Sequence, residues 1–423
     1  MKLAIVGSGI AGNVAAHRLH REHAITVYEA SSHVGGHTHT HAIELDGRSH
    51  RVDTGFIVYN ERNYPQFVAL LAELGVATQP SSMSFSVRCD ASGLEYNGAT
   101  LNTLFAQRRN LLSPSFLAMI RDILRFNREA PRLLAEPGAE LPLAELLARG
   151  GYGRAFIEHY LVPMGAAIWS TDPHSMLAFP ARFFIRFLHN HGLLTINDRP
   201  QWRVIQGGSA RYVEKLTAPF RDRIRTDTPV EWIRRLPGGV IVKARGHEAE
   251  HFDAVFLACH SDQALALLAD AEPAEREVLG AIRYQRNEAV LHTDARLLPR
   301  RRLAWAAWNY HVLPAPHRPV ALTYNMNILQ GLASPTPLLV TLNHAAAIDP
   351  ARVIRQINYQ HPVFTPAALR AQARQREING VRGTYYCGAW WRNGFHEDGV
   401  VSALAAVDHF EQDHAQRALY RSA

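Results

Sequence analysis

The first 29 residues carry the pattern that most constrains the fold of this chain of 423 residues. An apolar strand, Lys2–Val6, runs into the glycine-rich stretch GSGIAG at residues 7–12, and a helical stretch follows at Asn13–Arg21. A second strand, Ala24–Tyr28, then ends at Glu29. In such a βαβ unit the helix N-terminus offers free backbone N–H groups to a pyrophosphate, and an acid about 20 residues further on accepts hydrogen bonds from a ribose. The spacing therefore predicts a bound dinucleotide.

The residues of the glycine turn have separate roles in this prediction. Gly7 permits the tight turn, Gly9 lets backbone approach the pyrophosphate, and Gly12 lets the helix pack close to the strand. Ile10 and Ala11 lie between these glycines at the start of the helical stretch. We therefore include them in the predicted cofactor site.

The residues after Glu29 favour FAD over NAD. The pair Gly35-Gly36 lets the chain double back over the dinucleotide towards a flavin, whereas an NAD-binding chain normally continues into another βαβ unit. A hairpin is predicted next, at residues 39–52, because Asp46-Gly47 lies between alternating segments. The predicted cofactor contacts in this region are Gly35, Gly36, His37, Thr38, Gly55 and Phe56.

The C-terminal region supplies a second half of the predicted flavin site. A strand at Gly383–Tyr386 leads to Gly388, and a turn with acidic residues and glycine at 394–399 precedes a helix of small residues at Val400–His409. The N-terminus of that helix can lie against the flavin N1–C2=O edge, where its dipole stabilises the negative charge of the reduced state. The predicted contacts are Gly388, Glu397, Asp398 and Val400.

These motifs resemble those of the flavin-containing amine oxidase superfamily, which includes carotenoid desaturases and protoporphyrinogen oxidases. The shared marks are GSGIAG, Glu29, Gly35-Gly36, Gly207-Gly208-Ser209 and the stretch from Gly388 to Gly399. Within the superfamily, the chain is similar to bacterial flavoproteins that resemble the N-terminal oxidase-like region of plant cyclopropane fatty acid synthases. That closer resemblance is carried by residues 52–60, 190–194, 199–202, 290–294 and 394–399.

The resemblance implies an α/β fold in which a Rossmann-like FAD-binding domain of the amine-oxidase type carries an inserted α+β substrate domain. It also implies that backbone at Val230 contacts the adenine. We expect the FAD to be noncovalent, because no attachment motif is evident. The predicted FAD-binding domain consists of residues 1–75, 203–288 and 377–423, and the predicted substrate domain of residues 76–202 and 289–376.

The substrate domain begins with a mostly helical pattern. Helical periodicity predicts helices at Leu101–Leu112 and Ser115–Arg128, separated at Ser113-Pro114. Residues 179–194, FPARFFIRFLHNHGLL, predict an aromatic helix with spaced arginines. This helix either packs in the core or forms a wall of a lipid-accepting tunnel or a membrane-contacting surface, and the sequence leaves both interpretations open.

Composition bounds the partners and the location. The net charge of +7 permits nonspecific attraction to anionic lipid, whereas no nucleic-acid motif is present. The sequence has three widely spaced cysteines, no visible signal peptide and no apolar run of the roughly 20 residues that span a bilayer. These features predict a cytoplasmic protein, and they allow peripheral contact at the inner face of the membrane. His37, His39 and His41 share a strand face that could hold a metal. No metal is predicted, because the resemblance places His37 beside the flavin.

The candidate chemistry disfavours an ammonium substrate. Amine oxidases of the superfamily keep a lysine near flavin N5, and the three lysines here, Lys2, Lys215 and Lys243, all lie outside the predicted substrate domain. Phe395 follows Gly394 where amine oxidases often have tyrosine. A site without a cation-directed aromatic cage suits a hydrocarbon better than an ammonium.

The predicted function is that of an FAD-dependent oxidoreductase that removes hydride from a hydrophobic substrate, such as a fatty acyl or phospholipid chain that it desaturates. One alternative is an amine or amino-acid oxidase. Another is a non-catalytic, flavin-bearing partner of a lipid methyltransferase. Catalytic residues are not identified by the sequence; the candidates are His396, His191 and Trp391, with His292 a weaker one.

Overall fold

A five-stranded parallel sheet is the framework on which the N-terminal glycine turn is mounted. The computed structural model describes residues 1–135, 141–197, 199–314 and 320–422. Strands from three separate parts of the chain build this sheet, and the helix Ile10–Leu19 connects the first two strands along the chain, as in a Rossmann-like fold. In spatial order the strands are Ile224–Arg225, Ala24–Tyr28, Lys2–Val6, Ala254–Leu257 and Thr384–Tyr386.

Both faces of the parallel sheet are buried, which explains why its strands are continuously apolar. Leu3 and Ile5 pack into one core with the helices Ile10–Leu19 and His396–Ser422, whereas Ala4 and Val6 pack into another on the opposite face. The opposite face carries a three-stranded antiparallel sheet of Val230–Leu236, Gly239–Ala244 and Glu250–Phe252. The remaining helices of this part are Pro65–Glu73, Ala210–Thr217, Ser261–Leu267, Pro273–Gly280, Pro366–Gln372 and Gln375–Ile378.

A seven-stranded mixed sheet forms the second part of the molecule. Its strands in spatial order are Val353–Val363, Arg283–His292, Leu339–Leu342, Leu322–Asn325, Trp308–Val312, Phe85–Cys89 and Leu94–Asn97. Only the pairing of Trp308–Val312 with Phe85–Cys89 is parallel in this sheet, within the described residues. The helices of this part are Leu101–Leu104, Pro114–Glu129, Arg132–Ala135, Leu143–Arg149, Arg154–Phe156, Val162–Trp169, Pro173–Leu177, Ala181–Asn190 and Met326–Leu329.

Two small sheets connect these parts. One is the predicted hairpin, Thr40–Leu45 with Arg48–Asp53, and it turns at Asp46 and Gly47, whose φ angles of 52° and 71° are those of a type I′ turn. The other consists of Tyr59–Asn60, Trp202–Ile205 and Thr78–Pro80. The hairpin prediction is confirmed to within one residue at each end.

Three predicted helices have different limits in the structure. The first begins at Ile10 rather than Asn13, and the C-terminal one begins at His396 rather than Val400. The predicted helix Leu101–Leu112 is a short helix, Leu101–Leu104, followed by a 3₁₀ helix at Arg108–Leu112. Phe105 ends the first of these with ψ of 37°, outside the helical region.

The α/β fold is as predicted, whereas the domain limits stay a prediction. The strand Arg283–His292 runs through the predicted limit at residue 288 because it pairs along its whole length with Val353–Val363. Ala368 and Ala371, predicted in the substrate domain, pack in a core beside the parallel sheet. Within the described residues, no helix is both long and apolar enough to cross a bilayer.

Candidate functional site

A cavity of about 820 Å³ begins at the carboxyl ends of the parallel strands and extends to the seven-stranded sheet. Ligands of open α/β sheets bind in this position, where the loops that leave the strands meet. Of the residues predicted to bind the cofactor, twelve line the cavity: Gly7, Gly9, Ile10, Ala11, Glu29, Gly35, Gly36, His37, Gly55, Phe56, Val230 and Gly388.

The glycine turn has the geometry that its sequence predicts. Gly7 has a φ of +105°, which side-chain-bearing residues rarely adopt. A Cβ atom on Gly12 would lie 1.9 Å from the carbonyl O of Gly7, so only glycine lets the helix start this close to the strand. Gly9, in contrast, would meet no atom within 4 Å. Its missing side chain leaves open cavity beside the first backbone N–H groups of the helix, which has no side-chain cap.

Glu29 is held in place at the rim by the chain around it. Its Oε2 accepts hydrogen bonds from Ser8 N and Ser8 Oγ at 3.0 and 2.6 Å, and its Oε1 accepts from Ser31 N and Ser31 Oγ at 2.9 Å each. These four donors fix the orientation of the carboxylate before any ligand arrives. Contact with a ribose stays a prediction.

His37 lines the cavity and has a buried polar atom that no described residue pairs with. Its Nε2 is buried without a hydrogen-bond partner among the described residues, and its ring stacks on Tyr359 with centroids 4.9 Å apart. Burial lowers the pKa of His37 to about 4, so the ring is neutral at pH 7. Gly55 is required here because its Cβ would lie 2.0 Å from the carbonyl O of His37.

Two further histidines near His37 were not identified from the sequence. The rings of His361 and His260 lie 5.3 and 6.2 Å from that of His37, centroid to centroid, and both line the cavity. Burial lowers the pKa of His361 to about 3 and that of His260 to about 4. His260 follows the carboxyl end of a parallel strand, which is a signal that sequence reasoning could have used. His361 lies near the end of a long strand that has no such signal.

His396, a catalytic candidate, lines the cavity but is committed to internal contacts. Its Nε2 lies 2.7 Å from Tyr212 Oη and 3.1 Å from Thr38 Oγ1, and its ring stacks on Phe56 at 3.6 Å. Burial lowers the pKa of His396 to about 3. The neutral, bonded imidazole supports Phe56 and Thr38; its catalytic role stays a prediction.

The other catalytic candidates lie in different places. His191 lines the cavity, stacks on Phe187 at 3.8 Å, and has its pKa lowered by burial to about 4. Trp391 lines a neighbouring cavity and donates from Nε1 to Tyr386 O, whereas Trp390 lines the main one. His292 is fully buried and lines neither cavity. Its Nε2 forms a hydrogen bond with Thr341 Oγ1 at 2.7 Å, between two strands of the seven-stranded sheet, so its observed contact is structural.

Five predicted cofactor residues do not line the cavity: Gly12, Thr38, Glu397, Asp398 and Val400. Glu397 accepts hydrogen bonds from the backbone N of Gln66 and Phe67, at the start of the helix Pro65–Glu73. Asp398 accepts from the backbone N of Asn393 and Phe395, which holds the turn in front of the C-terminal helix. Direct contact of these five with the cofactor stays a prediction, and their observed contacts shape the loops that line the cavity.

The part of the cavity away from the glycine turn is walled by aromatic and aliphatic side chains. They come from the seven-stranded sheet, from the helices that cover it and from nearby loops: Met83, Phe85, Tyr96, Tyr160, Met164, Ile168, Trp169, Phe187, Leu193, Trp308, Tyr324, Leu342, Phe364 and Phe395. In the aromatic helix Ala181–Asn190, Phe187 reaches this wall, whereas Phe184, Ile185 and Leu188 are core. The two sequence interpretations of this helix, core packing and cavity wall, therefore apply to different faces of it.

Fixed charges are scarce around the cavity. Apart from the neutral histidines, its described lining contains one acid, Glu29, and one strong base, Arg199. None of the three lysines lines it: Lys2 pairs with Glu250, Lys215 donates to the carbonyl O of Leu74, and Lys243 donates to that of His247. The predicted absence of a lysine beside the flavin is thus consistent with the geometry.

The residues present fit FAD. The open space beside Gly9 lies at an uncapped helix N-terminus, where a pyrophosphate would bind. The orphaned Nε2 of His37 lies further along the cavity, beyond Gly36, whose Cβ would lie 3.0 Å from Gly9 Cα. The helix that begins at His396 packs its first turn against the start of the helix Ile10–Leu19. A Cβ on Gly399 would lie only 2.6 Å from Ile10 Cγ2. Noncovalent binding stays a prediction, and flavin that remained with acid-precipitated protein would contradict it.

Comparisons with known proteins agree with this site. The family model described as flavin-containing amine oxidoreductase matches residues 10–293, more than half of the chain. No curated protein matches by sequence.

Solved structures share the fold at low sequence identity. Cyclohexylamine oxidase from Brevibacterium oxydans is 18% identical with a TM-score of 0.67, and putrescine oxidase bound to putrescine is 16% identical with a TM-score of 0.66; in each case 97% of this chain and 99% of the other are covered. A CLA-producing fatty acid isomerase from P. acnes is 16% identical with a TM-score of 0.64, over 96% and 98% of the two chains. The chain belongs to the flavin-containing amine oxidoreductase family and is an FAD-dependent oxidoreductase.

Proposed function

We propose that this enzyme removes hydride from the acyl chain of a fatty acid or phospholipid. The observation that supports the proposal is the apolar half of the cavity, which continues from the flavin site and contains no acid among its described lining residues. A hydrocarbon chain gains about 0.8 kcal/mol for each buried CH₂ group. Such a cavity therefore suits a long chain, and it offers a buried ammonium aromatic faces but no carboxylate.

The chemistry follows from what the cofactor and the walls supply. FAD, when bound, accepts a hydride. Loss of that hydride from one carbon and of a proton from its neighbour leaves a C=C bond in the chain; a neutral imidazole of the cavity would take up the proton, and oxygen would reoxidise the flavin. The aromatic walls orient the chain and exclude water. The rings of His37, His260 and His361 line the same cavity and are neutral. An acyl chain that binds there therefore removes no charged imidazole from water.

The similar structures support two substrate classes. The fold is shared with a fatty acid isomerase and also with oxidases of cyclohexylamine and putrescine. The second candidate function, oxidation of an amine or amino acid, rests on the latter two. The absence of lysine and of acid beside the aromatic walls favours the acyl chain. Association with a lipid methyltransferase stays a prediction, which co-purification of the two proteins would test.

Product analysis tests the proposed reaction. The purified holoenzyme is incubated in air with fatty acids and phospholipids of several chain lengths, and the products are analysed by mass spectrometry. We expect a product that is lighter by two hydrogen atoms. Turnover of cyclohexylamine or putrescine with no lipid product would instead support the second candidate.

A cavity-filling variant shows whether the reaction uses the aromatic walls. Ile168 is half-buried and lines the cavity, so Ile168→Trp should shorten the longest chain that is accepted. Ile354 is also half-buried but lies outside the lining, so Ile354→Trp is the matched control. An unchanged chain-length profile in Ile168→Trp, with the flavin retained, would contradict binding of the chain along this wall.

A further inference from the structure

Large apolar side chains are exposed together on one part of the surface. Five leucines are exposed: Leu101, Leu111, Leu112, Leu117 and Leu124. Leu112, 87% exposed, and Leu101, 77% exposed, are the most exposed large apolar side chains that the structure describes. These leucines lie within 24 residues of one another in sequence. An exposed group of this kind marks an interaction surface, whereas scattered single leucines do not.

The elements that carry these leucines are in contact, and Arg108 joins them, since its Nη1 donates to Asn102 O at 3.1 Å and to Phe105 O at 2.7 Å. The 3₁₀ helix Arg108–Leu112 packs against the helix Pro114–Glu129, and the helix Leu101–Leu104 packs against the 3₁₀ helix Arg302–Ala304. The last of these adds a sixth exposed leucine, Leu303. We call residues 101–128 together with 300–303 the leucine–arginine surface.

Arginines accompany the leucines. On the helix Pro114–Glu129, the positions Leu117, Arg121, Leu124 and Arg128 follow one another at intervals of four, three and four, which puts them on one face, and all four are exposed. The exposed arginines of the surface are Arg108, Arg109, Arg121, Arg128, Arg300, Arg301 and Arg302.

Acids are almost excluded from this surface. Its single acidic residue is Asp122, which is buried and accepts a hydrogen bond from Gly153 N at 2.9 Å. Glu129, the next residue after the surface, pairs with Arg128 at 3.2 Å, so the net positive charge comes from the other arginines. The adjacent Glu95 is also buried and accepts from the backbone N of Arg300 and Arg301. The surface therefore presents leucine and positive charge together, which complements the acyl chains and anionic headgroups of a bilayer. A second copy would place arginines against arginines, which disfavours self-association.

One end of the flavin cavity lies next to this surface. Gly98 and Ala99 line the cavity and are exposed, and they precede Leu101 by three and two residues. We propose that the leucine–arginine surface docks the protein on an anionic phospholipid bilayer, with the end of the cavity at Gly98 and Ala99 facing the lipid. This inference concerns docking and holds whichever substrate the flavin oxidises.

Vesicle co-sedimentation of the holoenzyme tests the docking. We expect binding to vesicles that contain phosphatidylglycerol, weakened by salt, and at least about tenfold weaker binding to vesicles of phosphatidylcholine alone. The double variant Leu111→Glu, Leu112→Glu should weaken binding to the anionic vesicles by about tenfold or more, because both leucines would leave the interface. Arg301→Glu with Arg302→Glu should act in the same direction through charge alone.

Controls separate docking from loss of fold and from other partners. Ile196 is 65% exposed outside this surface, so Ile196→Glu should bind vesicles as the unchanged protein does. Each variant must keep its flavin absorbance and melting temperature. Equal vesicle binding by the leucine variant and the control, or no binding of the unchanged protein to anionic vesicles, would overturn the proposal. A concentration-dependent dimer that the leucine variant abolishes would assign the surface to a second copy instead.

Discussion

At the scale of single residues, Gly9 and Gly12 show that two glycines of one motif are required for different reasons. Gly12 is needed by the fold, because its Cβ would overlap Gly7 O, whereas Gly9 has free space around it. We infer that the space beside Gly9 belongs to the pyrophosphate. The Nε2 of His37 is a second feature that the described residues leave unsatisfied, since it is buried without a hydrogen-bond partner among them.

The variant Gly9→Ala should therefore separate cofactor binding from stability. We expect the melting temperature of the apoprotein to stay nearly unchanged, while the Kd for FAD rises about tenfold, or ~1.4 kcal/mol. Flavin fluorescence titration and apoprotein melting are the two measurements. Gly280→Ala is the matched control, because Gly280 also has a normal φ and its Cβ would approach only Leu265, at 3.7 Å. An equal loss of FAD affinity in both variants would contradict a role of the space beside Gly9.

At the scale of elements, Asp53 joins three separate segments in the core. Its carboxylate accepts hydrogen bonds from Thr40 Oγ1 in the hairpin, from Ser209 N and Oγ after the Gly207-Gly208 pair, and from Gln330 Nε2 near the seven-stranded sheet. Burial raises the pKa of Asp53 to about 6 despite these donors. The carboxylate thus fixes the hairpin that leads to Thr54 and Gly55 in the cavity wall.

The variant Asp53→Asn should loosen this junction. The new amide nitrogen would face a group that now donates a hydrogen bond to the carboxylate. The side-chain amide of Gln330 cannot flip to relieve this, because its Oε1 already accepts a hydrogen bond from Asp53 N. We expect a loss of about 1–3 kcal/mol in the free energy of unfolding, measured by urea denaturation. Asp46→Asn, at the exposed hairpin turn, is the control that should cost almost nothing. Unchanged stability of Asp53→Asn would show that the junction does not depend on the carboxylate.

At the scale of the whole molecule, the neutral histidines of the cavity make stability depend on pH. Burial lowers the pKa of His37, His191, His260, His361 and His396 to about 3 or 4, below the value of about 6.5 in an unfolded chain. Their contribution is present above pH 6.5 and is lost as the pH falls towards 4, because the unfolded state then binds more protons.

We therefore expect the urea midpoint of the apoprotein to fall as the pH is lowered from 7.5 to 5. Asp53 and Asp398 act in the opposite direction, since burial raises the pKa of each to about 6 and the folded state then binds the extra proton between about pH 4 and 6. The five cavity histidines outweigh these two aspartates and Glu397, whose pKa burial also raises. A midpoint that is constant or rises on acidification would contradict neutral, buried histidines.

The sequence predicts the parts of this molecule whose signals are local. The glycine turn, the strand Ala24–Tyr28 and the Asp46-Gly47 hairpin each depend on a few consecutive residues, and they are confirmed. His361 and Tyr359 could not be placed beside His37, because they come together only through pairing of strands far apart in the chain. The tryptophan that reaches the cavity is Trp390 rather than Trp391, since the backbone between Gly388 and Asn393 does not follow a regular strand or α-helix.

Anaerobic visible absorbance of the flavin reports whether the apolar half of the cavity holds an acyl chain within reach of the cofactor. The purified holoenzyme is titrated without oxygen, once with fatty acids and phospholipids and once with cyclohexylamine and putrescine. We predict that the oxidised flavin band bleaches with an acyl lipid and is unchanged with the amines. Bleaching by an amine with no response to any lipid would show that the substrate is an amine and not an acyl chain.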